Sequence, residues 1–226
     1  MAGKKKIAHR IFGTPTATVF RMWAWILLAW GLYRYFIRFP EWTDEFFFKP
    51  IVFVVPVVWY VLKKEKRTLE SLGITGKRFA NSLYIGLGFG MVFALEGILV
   101  NSIKNGTLTV TPIAALSENG LIPLLIISLA TAFSEEVLNR GFIFKRLYEG
   151  TKNIVYSIGL SSLMFVFLHV PILVTSTHLT GSTLLLFFVT NLIIACMNSL
   201  LFLSTGSLVA PILVHIFWNM AVALYL

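Results

Sequence analysis

Long apolar runs, separated by short polar links, dominate this chain. A helix that crosses a bilayer needs about 20 mostly apolar residues. Seven runs approach that length: 17–37, 46–62, 82–103, 121–140, 153–175, 183–203 and 207–226. The pattern predicts an all-α fold, a polytopic transmembrane bundle of about seven spans, with six to eight as the range.

The first two runs have features of their own. The run 17–37 begins too late and is too long for a cleaved signal peptide, and no A-x-A site follows it, so we predict a retained helix. The run 46–62 is short and contains Pro56, which predicts a tilted or kinked helix. No polar stretch could bury a core of its own, so residues 1–226 are expected to form a single integral-membrane domain.

Composition agrees with a membrane environment. Hydrophobic residues make up 57% of the chain, charged residues 13%, and the mean hydropathy is +0.82. A soluble domain is about one-quarter charged. The net charge of +9 comes from short basic clusters between apolar runs, so the expected partner is the lipid bilayer and no nucleic acid. The single cysteine, Cys196, excludes an intrachain disulfide.

The basic residues predict an orientation. Fourteen of the 19 lysines and arginines lie in the N-terminal segment and in the links 63–80 and 140–152, which seven crossings place on one side. The links on the other side hold Arg38, Lys49 and Lys104. By the positive-inside rule the N-terminus is cytoplasmic, in the cell membrane or, in a eukaryote, the endoplasmic reticulum. The stretch 68–80 is either a plain link or a short amphipathic surface helix.

Ionisable residues inside membrane segments are costly and mark function by default. Here they concentrate in the fourth, fifth and seventh runs. Three pairs lie four residues apart, which places both members on one helix face. The residues are Glu135, Glu136, Arg140, Phe165, His169, His215 and Asn219.

The depths of these residues agree with one another. If the fourth and fifth runs form a hairpin that turns near Gly150 to Lys152, Glu135 and His169 lie at the same height, since 152 is their midpoint. His215 and Asn219 reach a similar level after a turn near Thr205. The sequence therefore predicts one shared buried site.

Each polar residue also has a structural interpretation. Glu136 with Arg140 can be an ion pair that only stabilises the fold, and the histidines can be interhelical hydrogen bonders. Glu96 has no partner at helical spacing, which favours a structural or cavity role. The remaining polar residues are interpreted as interhelical hydrogen bonders, Asn191 and Asn198, or as solvated loop residues, His9 and His178.

The predicted site has the parts of a peptide-bond hydrolase that uses no covalent nucleophile. A carboxylate beside an imidazole can deprotonate water, and a histidine and an amide one turn apart can donate to an oxyanion. Other intramembrane protease chemistries lack their residues: the chain has one aspartate, Asp44, and neither H-E-x-x-H nor G-x-S-G.

Glu-Glu-x-x-x-Arg, Phe-x-x-x-His and His-x-x-x-Asn, in this order over about 133–220, resemble the three motifs of the CPBP superfamily. That superfamily includes the CAAX prenyl endopeptidases and the bacteriocin-immunity (Abi) proteins, and characterised relatives have an eighth helix after the last motif, whereas this sequence stops at Leu226. The resemblance implies a glutamate-dependent intramembrane endopeptidase with a catalytic core at about 121–226. The implied roles are water activation by Glu135 and His169, oxyanion stabilisation by His215 and Asn219, and support of the site by Glu136, Arg140 and Phe165.

Cofactor, substrate and function class each leave alternatives. Glu135, His169 and His215 could form a zinc site, but asparagine is a poor zinc ligand and no cofactor is favoured. The expected substrate is a membrane-associated peptide or protein, prenylated or unprenylated. The other function classes are a proton-coupled transporter and a non-catalytic immunity or scaffold protein of the membrane.

Overall fold

The computed structural model describes residues 14–37, 39–108 and 120–225, and within these ranges it contains seven long helices and no strand. The prediction of an all-α bundle is confirmed. A 3₁₀ turn at Leu69–Leu72 lies between the second and third helices. The helices are α1 Thr14–Phe36, α2 Glu41–Lys64, α3 Phe79–Asn105, α4 Leu121–Thr151, α5 Ile154–Thr177, α6 Gly181–Thr205 and α7 Val209–Tyr225.

Five of these helices, α2 to α6, are long and apolar enough to cross a membrane. Helix α7 is apolar but shorter, and α1 carries Arg21 and Arg34 among its tryptophans and tyrosines. Both lie where the first and last spans were predicted. The protein is therefore a polytopic integral-membrane protein.

Two predicted boundaries were wrong. Helix α4 continues to Thr151, so the predicted link 140–152 is helical, and Arg140 and Arg146 within it are buried. Helix α2 begins at Glu41, which moves Lys49 from the expected external link into a buried helical position. The basic residues that predict the orientation are thus reduced by two on the cytoplasmic side, Arg140 and Arg146, and by one on the other side, Lys49.

Parts of the predictions fall outside the described residues. These are His9, the N-terminal basic cluster, Arg38 and residues 109–119 of the predicted external link. The described residues include the hairpin between α4 and α5, and this hairpin turns at the predicted position. Lys152 adopts a left-handed conformation with φ 55°, and the Asn153 side chain accepts a hydrogen bond from the Tyr156 N–H at 3.0 Å, which caps α5.

Helix α2 accommodates its prolines without a break. Pro50 and Pro56 have no N–H to donate, so the regular hydrogen-bond ladder cannot continue through them. The chain instead widens into π-helical turns at Asp44–Phe48, Pro50–Val54 and Tyr60–Lys64. In the first of these turns Glu45 is buried, and Lys49 just after it is buried as well.

The main core lies between α1, α2, α4 and α5. Its buried members include Ile26, Val57, Phe142 and Met164. The 65–78 link packs beneath this core, because Leu72 is fully buried and Arg146 pairs with Glu65 at 2.6 Å. The stretch 68–80 is therefore a packed link and not a surface-lying amphipathic helix.

Helix α3 packs closely on α7 through a Gly-x-x-x-Gly pair. A Cβ added at Gly86 would lie 2.9 Å from Leu213 Cβ and 3.1 Å from Ala210 Cα, and one added at Gly90 would overlap the Phe217 ring. Small residues at this spacing let two membrane helices approach closely. The contact fixes the position of α7, which carries His215. Glu96, further along α3, is exposed, so it does not line a cavity, which was one of the two roles expected of it.

Gly86→Ala is expected to destabilise the protein by about 1–3 kcal/mol, the usual cost of overpacking, because the new methyl group meets backbone and Cβ atoms that cannot rotate away. Thermal unfolding in detergent measures the effect. Gly88→Ala is the matched control, since no atom of the described ranges lies within 4 Å of a Cβ added there. If both variants unfold at the same temperature, the Gly86 contact does not hold α3 against α7.

Candidate active site

Glu135 lies at the centre of the predicted site. Its side chain is buried, and Oε1 accepts a hydrogen bond from Lys49 Nζ at 3.1 Å. Oε2 lies 3.8 Å from His169 Nε2 and 3.7 Å from His215 Nε2, and it has no hydrogen-bond partner among the described residues. The Glu135 carboxylate thus contacts side chains from α2, α5 and α7. The similar depth predicted for Glu135, His169 and His215 agrees with the contacts to α5 and α7.

Glu136 faces a different set of donors. Its Oε1 accepts from Arg140 Nη1 at 3.1 Å, Asn198 Nδ2 at 2.9 Å and His215 Nδ1 at 2.8 Å. Arg140 also donates to the Ala195 carbonyl at 2.9 Å. The Glu136–Arg140 pair is therefore part of a buried network that ties α4 to α6 and α7.

The two asparagines of α6 differ in their bonds. Asn198 makes the interhelical bond that was predicted for it, to Glu136. Asn191 instead donates to the Phe187 carbonyl of its own helix at 2.8 Å. The interhelical prediction is therefore confirmed for Asn198 and does not describe the bond of Asn191.

Phe165 packs among the polar side chains. Its ring centroid is 4.8 Å from that of His169 and 6.0 Å from that of His215, and the Arg140 guanidinium lies over it at 4.7 Å. Both imidazoles meet the ring edge to face. Because Phe165 is fully buried and touches both, it fixes how the two rings face Glu135.

His169 lies at an interruption of α5. The N–H groups of Leu168 and His169 bond three residues back, to Phe165 and Val166, and Pro171 cannot donate to the next turn. His169 Nδ1 lies 3.1 Å from the Phe165 carbonyl, which can only accept, so Nδ1 carries the proton in this bond. In the neutral ring, Nε2 then presents its lone pair toward Glu135.

Asn219 is placed on the same helix as His215, one turn further along. It is half-buried, and no hydrogen bond joins its side chain to any described residue. Its amide donors are therefore free for a ligand. The structure brings six of the seven predicted residues into mutual contact, and Asn219 makes no hydrogen bond to the other six.

Residues 117–221 match the family model described as Type II CAAX prenyl endopeptidase Rce1-like. This part of the chain is an Rce1-like domain. The match includes all three motifs, and it confirms the family that their order predicted. No curated protein and no solved structure matches the chain. The Rce1-like family is a protease family, which supports peptidase activity and a membrane-associated peptide substrate at that level.

Sequence reasoning missed a second acid–base pair, which lies outside the Rce1-like domain. Lys49 Nζ lies 2.5 Å from Glu45 Oε2, and the Thr131 hydroxyl donates to that same oxygen at 2.6 Å. Glu45 and Lys49 come before the three motifs in the sequence, and Thr131 lies four residues before Glu135, at the start of the first motif. The spacing of Glu45 and Lys49, four residues apart, was the available signal, but Lys49 had been assigned to a link.

A small cavity of about 40 Å³ opens beside the Rce1-like motifs. The reactive groups Lys49, Glu135 and His169 lie in one part of its wall, and the rest is mainly apolar. The lining is completed by Trp30, Phe53, Asn139, Phe165, Leu168 and Ile172. An apolar wall with a few polar groups that lie together is typical of a ligand-binding site.

The residues of the Rce1-like site fit a metal ion poorly. Glu135, His169 and His215 are the donors that zinc would need, but the Lys49 ammonium lies 3.1 Å from the same carboxylate and would repel a divalent cation. Within the described ranges no group of three histidine, cysteine, aspartate or glutamate side chains has a geometry that could hold a metal. The preference for a metal-free site stays a prediction.

Proposed function

We propose that this protein is an intramembrane, glutamate-dependent endopeptidase that hydrolyses a peptide bond in a membrane-associated peptide or protein, prenylated or not. One observation carries the proposal: Glu135 Oε2 is buried, has no hydrogen bond to any described residue and lies within 3.7–3.8 Å of two imidazole nitrogens. Separations just beyond hydrogen-bond length are those that one water molecule bridges. A carboxylate and an imidazole converge on the position that a nucleophilic water would take.

In the proposed reaction, Glu135 takes a proton from this water while His169 Nε2 accepts its second hydrogen bond. The water oxygen attacks the carbonyl carbon of the scissile amide, and the carbonyl oxygen becomes an oxyanion. Glu135 then delivers the proton to the amide nitrogen, the C–N bond breaks, and a carboxylic acid and an amine leave. The atoms of one water molecule are divided between the products.

His215 and Asn219 are proposed to stabilise the oxyanion. Asn219 has free amide donors, and the Glu136 carboxylate, bonded to His215 Nδ1, supports the protonated ring that can donate from Nε2. The two histidines lie at almost equal distances from Glu135 Oε2. Distance alone therefore does not assign their roles. We assign oxyanion binding to His215 because Asn219 lies one turn from it on the same helix, and the contact with water to His169.

Cleavage assays test the proposed function. The purified protein in detergent would be given matched peptides with and without a C-terminal prenyl group, each with and without a chelator, and the products identified by mass spectrometry. We expect hydrolysis that is unaffected by the chelator. Absence of any product from the whole panel would contradict the endopeptidase assignment and favour the transporter or the non-catalytic interpretation, and inhibition by the chelator would contradict the metal-free site alone.

We further propose a cytoplasmic N-terminus and a single domain over 1–226, with the catalytic core at about 121–226.

Thiol labelling tests the proposed orientation. In a Cys196→Ser background, a cysteine at Lys77 is expected to be protected from an impermeant thiol reagent in intact cells, and a cysteine at Leu108 to be labelled. Both positions are exposed, unlike the neighbouring Leu72, so access depends on the side of the membrane alone. The opposite labelling pattern would reverse the orientation.

A further inference from the structure

The buried cation Lys49 has no part in the reaction described above. It lies on α2, more than 60 residues before the Rce1-like domain, and its ammonium touches the carboxylates of Glu45 and Glu135. Its side chain is only 8% exposed. A charge buried in a membrane protein is costly, so its two acidic partners are needed to hold it there.

The two oxygens of Glu135 have different environments. Oε1 accepts a hydrogen bond from Lys49, whereas Oε2 has no hydrogen-bond partner in the part of the chain that the structure describes and lies near both histidines. A carboxylate held at one oxygen cannot rotate freely about its last torsion. The Lys49 bond therefore determines which oxygen faces the imidazoles.

Lys49 is itself held from the opposite side. Glu45 bonds the ammonium, and Thr131 bonds Glu45, so a continuous chain of hydrogen bonds runs from α4 through α2 and back to Glu135 on α4. The ammonium also lies 5.7 Å from the Trp30 ring centroid. These contacts hold the Lys49 ammonium in one position, from which it donates a hydrogen bond to Glu135.

We propose that Lys49 is a positioning residue for the reaction, which fixes Glu135 through Oε1 and keeps that carboxylate in its charged form. The inference rests on the proposed endopeptidase function and adds a residue from outside the motif-bearing core. Lys49 keeps its proton throughout: the proton from water goes to Glu135 Oε2 and leaves on the amine product.

The first test compares Lys49→Met with wild type on a cleaved peptide at matched folded concentration. We expect kcat to fall about 10- to 100-fold with KM changed less than threefold, the loss typical of a partner that orients a reacting group. In Lys49→Ala, added ethylamine should restore part of kcat, because the ammonium can enter the cavity that Lys49 lines. Lys145→Met, a half-buried lysine away from the site, is the control and should keep full activity.

A second measurement needs no substrate. A hydrophobic carbodiimide modifies neutral carboxyl groups, and peptide mass spectrometry reports the modified fraction at Glu135. We expect modification to rise at least threefold in Lys49→Met and to stay at the wild-type value in Lys145→Met. If wild type cleaves peptides but Lys49→Met keeps its kcat and its labelling, the positioning role is overturned and the proposed function stands. If labelling rises but wild type cleaves nothing, the Lys49–Glu135 coupling holds and the endopeptidase assignment fails.

Discussion

Glu135→Gln is expected to lower turnover by at least about 10²-fold while KM changes little, since general-base catalysis contributes effects of this size. Glutamine keeps the volume of the side chain and an oxygen that can accept from Lys49. It cannot take a proton from water at the position that Oε2 occupies between the two histidines. Steady-state kinetics on a cleaved peptide gives kcat and KM separately.

Glu96→Gln is the control for that experiment. It makes the same chemical change at an exposed position of α3. We expect it to retain wild-type turnover. Near wild-type kcat for Glu135→Gln, at equal folded concentration, would remove the general base from the mechanism and make proton-coupled transport the next function to measure.

Glu136→Gln is expected to reduce stability more than any other single change at the site. One oxygen of Glu136 accepts from Arg140, Asn198 and His215, and an amide in its place leaves the buried Arg140 cation without its ion-pair partner. Breaking a buried ion pair by removing one partner costs about 3–5 kcal/mol. Lower expression and a lower unfolding temperature in detergent would show the loss.

Asn219→Ala separates the chemistry from this structural effect. Asn219 is half-buried and bonds to no described side chain, so its removal should leave the unfolding temperature near that of wild type. The loss of one oxyanion donor should lower kcat about 10²–10³-fold. Equal stability of Glu136→Gln and Asn219→Ala would contradict the role of Glu136 as the anchor of Arg140.

The late helices were predictable because helical spacing fixes faces and a hairpin fixes depth. Glu135 and His169 were placed at one height from their distances to Lys152, and the structure brings them within 3.8 Å. The spacing of Glu136 and Arg140 likewise predicted their ion pair. In each case the information lies within one helix or across one short turn.

Helical spacing and the position of a turn do not predict contacts between helices that are far apart in the sequence. Lys49 reaches Glu135 across 86 residues of sequence, and only the packing of α2 against α4 decides that they meet. Asn198 was recognised as an interhelical hydrogen bonder, but its partner, Glu136, was not. Periodicity gives the direction of a side chain from its own helix axis and carries no information about which helix lies opposite.

The length of α4 was underestimated for a related reason. Counting apolar residues stops a span at the first cluster of charges, here near Arg140. Arg140 and Arg146 remain inside the protein because Glu136 and Glu65 neutralise them. A charge with a buried partner does not end a membrane helix, and the sequence of one helix does not show whether the partner exists.

Two groups of helices line the cavity beside Glu135, and they contribute different kinds of residue to it. The groups proposed to break the bond lie on α4, α5 and α7, whereas the lining residues Trp30 and Phe53 come from α1 and α2. Substitution of these two aromatic residues changes the shape that a substrate must fit and leaves the hydrogen bonds of Glu136 and His215 intact. Selectivity can therefore change through the aromatic residues that line the cavity from α1 and α2, provided that Lys49 and Glu45 of α2 are kept to hold Glu135 in place.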